Sequence, residues 1–283
     1  MQYAGVEVTH PDKEMYPELG ATKGDVARFY HKYAQRIVKY LRHRPVTLVR
    51  GPHGVGGPMF YQRHPAEYFP DYIDRVKVSM KSGTGMYIEL DAEEDLIYLV
   101  NQGVLEFHAW GSKVSHIDKP DLLIWDLDPG EGCPWELLVQ CAHLVQDKLE
   151  KLKLEPFIKL SGSKGIHIYL HIKPQYTWDE GKAFALEIAK QVADNTEKFT
   201  TELPKEKRVG KVFVDYLRNS KGGTAVSPFS LRAKSGGGIS LPITWQTLER
   251  YNSADQFNIS EALESPLVED TWESLFDKEY SLP

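Results

Sequence analysis

The chain has 283 residues, of which 41% are hydrophobic and 26% are charged, with a formal net charge of −6 at pH 7. This is ordinary globular usage, which excludes a disordered or low-complexity protein. No apolar stretch approaches the roughly 20 residues that span a bilayer, no signal peptide is recognisable at the N-terminus, and two cysteines, Cys133 and Cys141, make no disulfide framework, so we expect a cytoplasmic protein without membrane contact.

The N-terminal part is predicted to be mixed α/β. Amphipathic spacing predicts a helix over 25–41, and a short apolar run predicts a strand over 46–50. The Gly/Pro-rich loop 51–58 follows and presents two aromatic residues, Phe60 and Tyr61.

A loop and an aromatic strand are predicted next. Gly and Ser residues over 82–85 begin a stretch that becomes acidic from Glu89 to Asp95, and we predict a mobile loop there. The residues 105–110 then predict a strand that carries His108. From the residues alone, this histidine is equally compatible with core packing and with ligand contact.

The most informative motif is Asp126-Leu127-Asp128, which ends an apolar run and precedes Pro129-Gly130. Because side chains alternate across a strand, both carboxylates project from one face. Mg²⁺ and Mn²⁺ take oxygen ligands, and a third carboxylate allows two ions about 3.5–4 Å apart, as in phosphoryl transfer. Asp215, which ends the apolar run 212–214, is the best candidate for that ligand. Turn-forming aspartates and manganese-dependent glycosyltransferases remain alternatives for the motif by itself.

A Gly/Ser-rich loop follows between two predicted strands. The elements predicted here are a helix over 135–152, a strand over 155–160, the loop 161–165 and a strand over 166–171. Small residues around Lys164 would let backbone N–H groups and one ammonium converge on phosphate, although a plain hairpin turn is the alternative. His167 is either a half-buried histidine or a phosphate or sugar contact.

Two cations follow on a short extended segment. Arg232 and Lys234 are two residues apart and are predicted to face the same side. The guanidinium of Arg232 can bind a phosphate bidentately, whereas the ammonium of Lys234 acts as a point charge. Solvated surface charge is the alternative for Lys234.

The negative net charge conceals a segregation of sign. Eight Lys or Arg face one acid from Lys23 to Arg50, and nine face three acids from Lys198 to Lys234, whereas nine acids face two cations after residue 248. Because affinity for nucleic acid depends on local cation density, we predict DNA contacts in the two basic segments, with Arg50, Arg208 and Lys221 among them. The alternative for the first segment is the solvated face of its amphipathic helix.

Several motifs in order make the chain resemble the primase-polymerase domain of ligase D, the bacterial and archaeal end-joining enzyme. The resemblance covers the chain from about Gly5 to Trp245. It is carried by Pro11-Asp12-Lys13, Thr22-Lys23, Phe60-Tyr61, Glu106-Phe107-His108-Ala109-Trp110, Asp126-Leu127-Asp128-Pro129, Ser161-Gly162-Ser163-Lys164-Gly165-Ile166-His167, Val212-Phe213-Val214-Asp215 and Ser230-Leu231-Arg232.

The resemblance implies the archaeo-eukaryotic primase fold, an α/β (α+β) architecture of two intimate lobes with mixed sheets flanked by helices. We expect a single domain over 1–283, with a DNA-end-binding lobe to about 102, a catalytic lobe over 103–248 and an acidic region over 249–283. That acidic region is expected to lie away from the DNA or to dock on a basic partner, and a terminal helix is expected within 248–263.

The resemblance also implies residue roles. Asp126, Asp128 and Asp215 would be catalytic metal ligands for two divalent ions, Mn²⁺ or Mg²⁺. The residues implied to bind the nucleotide are His108, Ser161, Lys164, His167, Arg232 and Lys234. The residues implied to contact DNA are Lys13 and Lys23 at a 5′-phosphate, and Phe60 with Tyr61 as a stacking platform. Lys234 stands where relatives often carry arginine. Relatives often carry a basic residue in the stretch that residues 222–224 occupy here, and Lys221 is expected to take its place.

The implied function is template-directed addition of NTPs, with ribonucleotides preferred, or of dNTPs to a 3′-OH at gaps or breaks in non-homologous end joining. The implied partners are DNA ends with a 5′-phosphate, Ku and a DNA ligase. Because no Lys-x-Asp-Gly ligase motif is present in this sequence, sealing is expected either from a ligase on another polypeptide or from a portion of the protein outside this sequence. The resemblance also implies that the protein is associated with the nucleoid. The alternatives are a primer-independent primase, a glycosyltransferase, which Arg232 disfavours, and a catalytically idle DNA-end bridging module, which three clustered acids disfavour.

Overall fold

The computed structural model describes residues 1–81, 83–267 and 269–283. Their contacts divide the chain into two compact units, each assembled from separate segments. The first unit comprises Met1–Ser115, Thr224–Leu241 and Phe257–Glu269, and the second comprises His116–Gly223, Pro242–Gln256 and Asp270–Pro283. This division follows other boundaries than the predicted lobes, because the strand after residue 103 pairs within the first unit's sheet.

The secondary structure is as follows. The strands are β1 (Gln2–Tyr3), β2 (Val6–Glu7), β3 (Glu14–Tyr16), β4 (Ala21–Thr22), β5 (Pro45–Arg50), β6 (Phe60–Gln62), β7 (Arg75–Met80), β8 (Gly83–Glu89), β9 (Val104–Trp110), β10 (Leu122–Pro129), β11 (Phe157–Leu160), β12 (Ile166–His171), β13 (Phe199–Thr200), β14 (Val212–Asp215), β15 (Thr224–Val226) and β16 (Pro242–Ile243). The α-helices are α1 (Lys23–Lys32), α2 (Ala34–Leu41), α3 (Glu93–Asn101), α4 (Trp135–Lys151), α5 (Trp178–Ala193) and α6 (Ile259–Glu264). Short 3₁₀ helices cover Pro17–Leu19, Val114–His116, Lys205–Arg208 and Trp245–Arg250.

The first unit is built on the sheet β15-β9-β5-β8-β7, to which β6 adds by pairing with β5. Helices α1, α2 and α3 pack with it. Phe29 and Ile37 are buried, and the Tyr30 ring on α1 lies 5.2 Å from the Phe107 ring on β9. Thr22 starts α1, since its hydroxyl accepts from the Asp25 N–H at 3.2 Å while the Asp25 carboxylate accepts from the Thr22 N–H. The strands and helices of this unit are therefore supported by a packed core.

The helix predicted over 25–41 is two helices. Tyr33 leaves the helical conformation, with φ −112° and ψ 12°, and ends α1 before α2 begins. Its hydroxyl donates to the Ala262 carbonyl at 2.9 Å in α6, a contact between residues distant in sequence. No helix breaker in the sequence signals this interruption, so local periodicity could not have located it.

The mobile loop predicted over 82–95 is wrong. Strand β8 pairs with β7 in an antiparallel hairpin, and α3 begins at Glu93. Ser82 lies outside the described residues. Of the acidic run that suggested a solvated loop, Glu89 ends β8, and Glu93, Glu94 and Asp95 lie in the first turn of α3, at the positive end of the helix dipole. Asp95 accepts from the Asp91 and Ala92 N–H groups.

The residues after 249 do not form a lobe of their own. Within 248–263 the structure has the end of a 3₁₀ helix and most of α6, instead of one terminal helix. Helix α6 packs on α1, where Lys32 donates to the Ala262 carbonyl at 2.7 Å. Trp272 is fully buried in the second unit and donates from Nε1 to the Ile158 carbonyl at 2.9 Å.

The second unit is built on the sheet β13-β14-β10-β12-β11-β16, in which only the β13–β14 pair of the described strands is parallel. Helices α4 and α5 pack on β10, and Trp125 is buried there with its Nε1 donating to the Ala185 carbonyl at 2.9 Å. The predicted helix 135–152 and the strands around 155–160 and 166–171 are confirmed to within two residues. No helix in the described parts of the chain is long and apolar enough to cross a bilayer.

Candidate active site

Three aspartates meet on one face of the second unit's sheet. Asp126 on β10 lies directly opposite Asp215 on β14 in the antiparallel register, and Asp128, two residues further along β10, projects from the same face. One carboxylate oxygen of each lies within 4.8 Å of the other two. Within the described residues this is the only cluster of three or more His, Cys, Asp or Glu side chains with such spacing.

The electrostatics of this cluster fit a cation. Burial and the Asp126 charge raise the pKa of Asp128 from 3.8 to about 7, and burial also raises the pKa of Asp215, to which Asp126 adds. Burial raises the pKa of Asp126 as well, but His167 and Arg218 outweigh it and hold the Asp126 pKa well below its usual range. Without added positive charge, it is therefore unfavourable for all three carboxyl groups to be ionised at once near neutral pH. An all-oxygen donor set of this kind suits Mg²⁺ or Mn²⁺.

Arg218, one of the nine cations of the second basic segment, adjoins the cluster, a position that the sequence did not reveal. Its Nε and Nη2 both lie 3.3 Å from Asp126 Oδ2, and Nε lies 3.7 Å from Asp215 Oδ2. The carboxylates raise the pKa of this guanidinium despite its burial. Its position three residues after Asp215 was the available signal, but the turn that brings it back over the carboxylates is not visible in a periodicity.

A row of polar side chains crosses four strands at the cluster. Lys159, His167, Asp126 and Asp215 are successive register partners on β11, β12, β10 and β14. His167 is buried with Nε2 3.1 Å from Asp126 Oδ1, so it orients a carboxylate of the cluster. Its predicted contact with a phosphate or sugar stays a prediction. Lys159 is fully buried and was missed, although a lysine inside an apolar strand is an available signal.

The loop 161–165 approaches the cluster closely. Ser161 Oγ accepts from the Ser163 N–H at 3.3 Å and from the Gly165 N–H at 3.1 Å, so this buried hydroxyl holds the loop closed. A Cβ on Gly165 would lie 2.5 Å from the Leu127 carbonyl oxygen, which explains why glycine is needed here. Ser161 therefore shapes the loop, and its predicted contact with nucleotide stays a prediction.

Lys164 projects from that loop into an open cleft of about 700 Å³. The cleft is within the size range of small-molecule sites. Its lining comprises Pro129–Leu138 in part, Ser163, Lys164 and Asn252–Asp255. Lys164 is therefore accessible to a ligand in a cleft that begins at Pro129, the residue after Asp128, although none of the three aspartates lines it.

The other predicted nucleotide-binding residues belong to the first unit. His108 Nε2 lies 2.7 Å from Glu106 Oε2, and Arg232 Nε donates to Glu106 Oε1 at 3.1 Å. Glu106 carried the resemblance but was assigned no role in the sequence analysis. Lys234 is exposed two residues beyond Arg232.

Lys13 and Lys23 are neighbours at the start of α1. The Lys23 N–H donates to the Lys13 carbonyl at 2.7 Å, and Lys23 Nζ donates to the Thr9 carbonyl at 2.8 Å. Burial, with the Lys13 charge, lowers the pKa of Lys23 to about 8. Burial and the Lys13 charge both disfavour the charged form of Lys23, and a bound anion such as phosphate would relieve this effect.

Two aromatic side chains stand out on β6. Phe60 is 46% exposed and Tyr61 is 72% exposed, so neither ring belongs to the core. Arg50 lies with its guanidinium carbon 5.3 Å from the Phe60 ring centroid and donates to Gln62 Oε1, the Gln102 carbonyl and the Tyr68 hydroxyl. Arg50 is buried by these contacts, so it supports the aromatic pair, and its predicted DNA contact stays a prediction.

Two basic residues of the second segment contact the protein surface around the cluster. Arg208 stacks over Phe213 at 3.5 Å and donates from Nε to the Glu202 carbonyl at 3.0 Å. Phe213 lies opposite Asp128 in the sheet register. Lys221 pairs with Asp118 at 2.5 Å. DNA contacts of Arg208 and Lys221 stay predictions.

Comparison with known proteins decides the family. Residues 22–272 match the family described as LigD, primase-polymerase domain. The chain belongs to this family. A solved structure titled as the polymerase domain from Mycobacterium tuberculosis ligase D in complex with DNA shares 29% sequence identity, superposes with a TM-score of 0.86, and covers 97% of this chain and 99% of that one. The resemblance and the α/β fold class drawn from it are thus confirmed.

Curated relatives of this LigD primase-polymerase chain are longer proteins. The multifunctional non-homologous end joining protein LigD of Pseudomonas aeruginosa is 36% identical over 257 residues, which are 90% of this chain and 31% of the relative. The bifunctional non-homologous end joining protein LigD of Bacillus subtilis is 28% identical over 261 residues, which are 92% of this chain and 42% of the relative. The chain therefore spans about a third of the length of the multifunctional relatives.

Proposed function

We propose that this chain is a DNA-end-repair primase-polymerase, a metal-dependent nucleotidyltransferase directed by a template. It adds NTPs, with ribonucleotides preferred, or dNTPs to a 3′-OH at gaps or double-strand breaks. The observation that carries the proposal is the cluster of Asp126, Asp128 and Asp215 in a chain of this family. An idle bridging module would gain nothing from three clustered carboxylates, two of them buried, because they repel phosphate.

The three aspartates would hold two divalent ions, Mn²⁺ preferred or Mg²⁺. When bound, such ions supply the positive charge that favours the ionised 3′-oxygen and offsets charge on the leaving pyrophosphate. His167 orients Asp126 from one side, and Arg218 neutralises part of the cluster from the other. The protein thus contributes a carboxylate frame whose positions are set before nucleotide binds.

The nucleotide would be held by cations and by the Gly/Ser loop. Lys164 contacts phosphate from the loop that Ser161 shapes, and Arg232 offers a planar guanidinium for a second phosphate contact. His108 contacts the sugar or phosphates, and Lys234 adds charge. These roles are supported by the cleft beside Lys164 and by the buried anchoring of Arg232.

The DNA would be held mainly by the first unit. Lys13 and Lys23 bind the 5′-phosphate, and Phe60 with Tyr61 stacks on template bases, for which their exposure is the support. Arg50, Arg208 and Lys221 add contacts with the backbone. A complex of a related polymerase domain with DNA, and the end-joining names of the longer relatives, support DNA ends as the substrate. Ku and a DNA ligase would be the partners, and the protein would work in the nucleoid.

One assay tests this function. The protein is incubated with Mn²⁺, labelled ATP or dATP, and a primer-template with a short 5′-phosphorylated gap, beside a template without primer. We expect extension of the primer by wild type and by Asp147→Asn, an exposed carboxylate on α4, and none by Asp126→Ala or Asp128→Ala, which retain DNA binding. Extension by either of the last two variants would refute the carboxylate assignment, and products without primer would favour a primase.

A further inference from the structure

We infer that Glu106 is a positioning residue of the nucleotide site, a single buried carboxylate that holds His108 and Arg232 in the orientation in which they bind a nucleoside triphosphate. The inference rests on the proposed function, which assigns His108 and Arg232 to the nucleotide. All three residues lie in the first unit.

The geometry brings three donors to the two oxygens of one carboxylate. Glu106 and His108 are two residues apart on β9 and therefore share a face of the strand, with Oε2 2.7 Å from His108 Nε2. Oε1 accepts from Arg232 Nε at 3.1 Å and from the Ala233 N–H at 2.6 Å. The carboxylate thus joins β9 to the segment after β15 and fixes both the side chain and the backbone of the Arg232 region.

Burial makes this arrangement a constraint. Glu106 is only 5% exposed, and burial by itself raises its pKa, but the His108 hydrogen bond and the Arg232 charge outweigh burial and lower the pKa to about 2. The carboxylate is therefore charged at every physiological pH. A buried charge that loses one partner is strongly unfavourable, so neither His108 nor Arg232 can swing away at low cost.

The two oriented side chains keep a route to ligand. His108 is 14% exposed and Arg232 is 15% exposed, whereas the Glu106 side chain is 7% exposed. The Tyr61 ring lies edge-on to His108 at 6.4 Å, and the Tyr16 hydroxyl donates to the Arg232 carbonyl at 3.0 Å. Glu106 therefore lies behind the two groups and acts through them.

Two effects of Glu106 on a triphosphate have opposite signs. Its negative charge weakens the attraction of the site for phosphate, whereas its hydrogen bonds remove the freedom of two side chains before binding. Charge-assisted bonds at these distances are among the strongest side-chain contacts, and the cost of ordering a long side chain falls on the binding step when they are absent. We therefore assign orientation as the larger effect.

The experiment measures ATP binding without DNA, by equilibrium dialysis with Mn²⁺ and labelled ATP, alongside KM and kcat in gap filling. Glu106→Gln keeps the volume and an acceptor but removes the charge, and we expect the Kd and KM for ATP to rise about tenfold while kcat falls less. Glu106→Asp keeps the charge and should lie between Gln and wild type. The matched control is Asp95→Asn, a buried carboxylate of the same unit that caps α3 and should leave ATP binding unchanged.

A double-mutant cycle separates orientation from general stability. If Glu106 couples the two donors, the effects of His108→Ala and Arg232→Met on ATP Kd are not additive, and Glu106→Gln changes Kd less than about twofold in the doubly substituted background. The comparison of His108→Ala, Arg232→Met and the double variant uses no Glu106 substitution. It therefore tests the inference even if Glu106→Gln does not fold.

Two results would overturn the inference if wild type still fills gaps. One is that the effects of His108→Ala and Arg232→Met on the Kd for ATP are additive. The other is that Glu106→Gln binds ATP as tightly as wild type or more tightly. Absence of ATP binding and of primer extension by wild type would overturn the proposed function itself, and the inference with it.

Discussion

Asp128→Asn should make the metal-free protein more stable at neutral pH. The folded state raises the Asp128 pKa from 3.8 to about 7, because the side chain is largely buried and lies beside Asp126 and Asp215. Between these two pH values the folded protein binds more protons than the unfolded chain, so stability falls as pH rises from about 4 to about 7 and is constant above. Asparagine has no charge to bury, so the stability of Asp128→Asn should not show this decrease as pH rises.

The magnitude follows from the shift. The interval from pH 5 to pH 7 lies within this shift and is two pH units wide, so the free energy of unfolding falls across it by at most about 3 kcal/mol. Solvent at the partly exposed carboxylate reduces this, and we expect about 1–2 kcal/mol, which corresponds to a melting midpoint about 2–6 °C lower for wild type than for Asp128→Asn at pH 8.

The assay is urea and thermal unfolding in EDTA at pH 5 and pH 8. Wild type and Asp147→Asn should lose more stability than Asp128→Asn between the two pH values. Adding Mn²⁺ at pH 8 should raise the midpoint of wild type and raise that of Asp128→Asn much less, since a ligand has been removed. Equal pH dependence of wild type and Asp128→Asn would refute the reasoning that three carboxylates crowd one another.

Three further predictions concern Arg218, the lysine pair and Phe60. Arg218→Met should tighten Mn²⁺ binding in calorimetric titration and lower the melting midpoint in EDTA, because the carboxylates lose their resident counter-charge. Lys13→Ala with Lys23→Ala should weaken binding to a 5′-phosphorylated gap about tenfold more than to its dephosphorylated twin, measured by fluorescence anisotropy, because the ammonium–phosphate contact exists only in the former. Phe60→Ala should weaken gapped-DNA binding by about one to two decades at an unchanged melting midpoint, since stacking is worth roughly 1–3 kcal/mol per base.

Each of these has a contrary outcome. Weaker Mn²⁺ binding by Arg218→Met would mean that the guanidinium helps to hold the cation site together. An equal loss of affinity for both gaps would make the lysines general backbone contacts, suppressed alike by salt. For Phe60→Ala the control is Tyr72→Ala, a comparably exposed aromatic, and a midpoint drop confined to Phe60→Ala would mark packing instead of stacking.

The local sequence pattern was sufficient to predict which side chains share one face of a strand. The Asp-x-Asp spacing alone requires Asp126 and Asp128 to share a face, and the apolar runs around them are confirmed as β10 and β14. The order of the motifs was sufficient for the family. The helix after the motif was also predictable, because seventeen residues of regular periodicity carry a strong signal.

The partners of those carboxylates were decided by tertiary structure. Lys159, His167, Asp126 and Asp215 form a row only because four strands adopt one register, and Arg218 reaches the row through a turn after β14. Likewise, Glu106 meets Arg232 across 126 residues of sequence. A sequence period states which face of an element a side chain occupies, but strand order and register depend on non-local burial and pairing, so the charges that tune each carboxylate appear only in the folded chain.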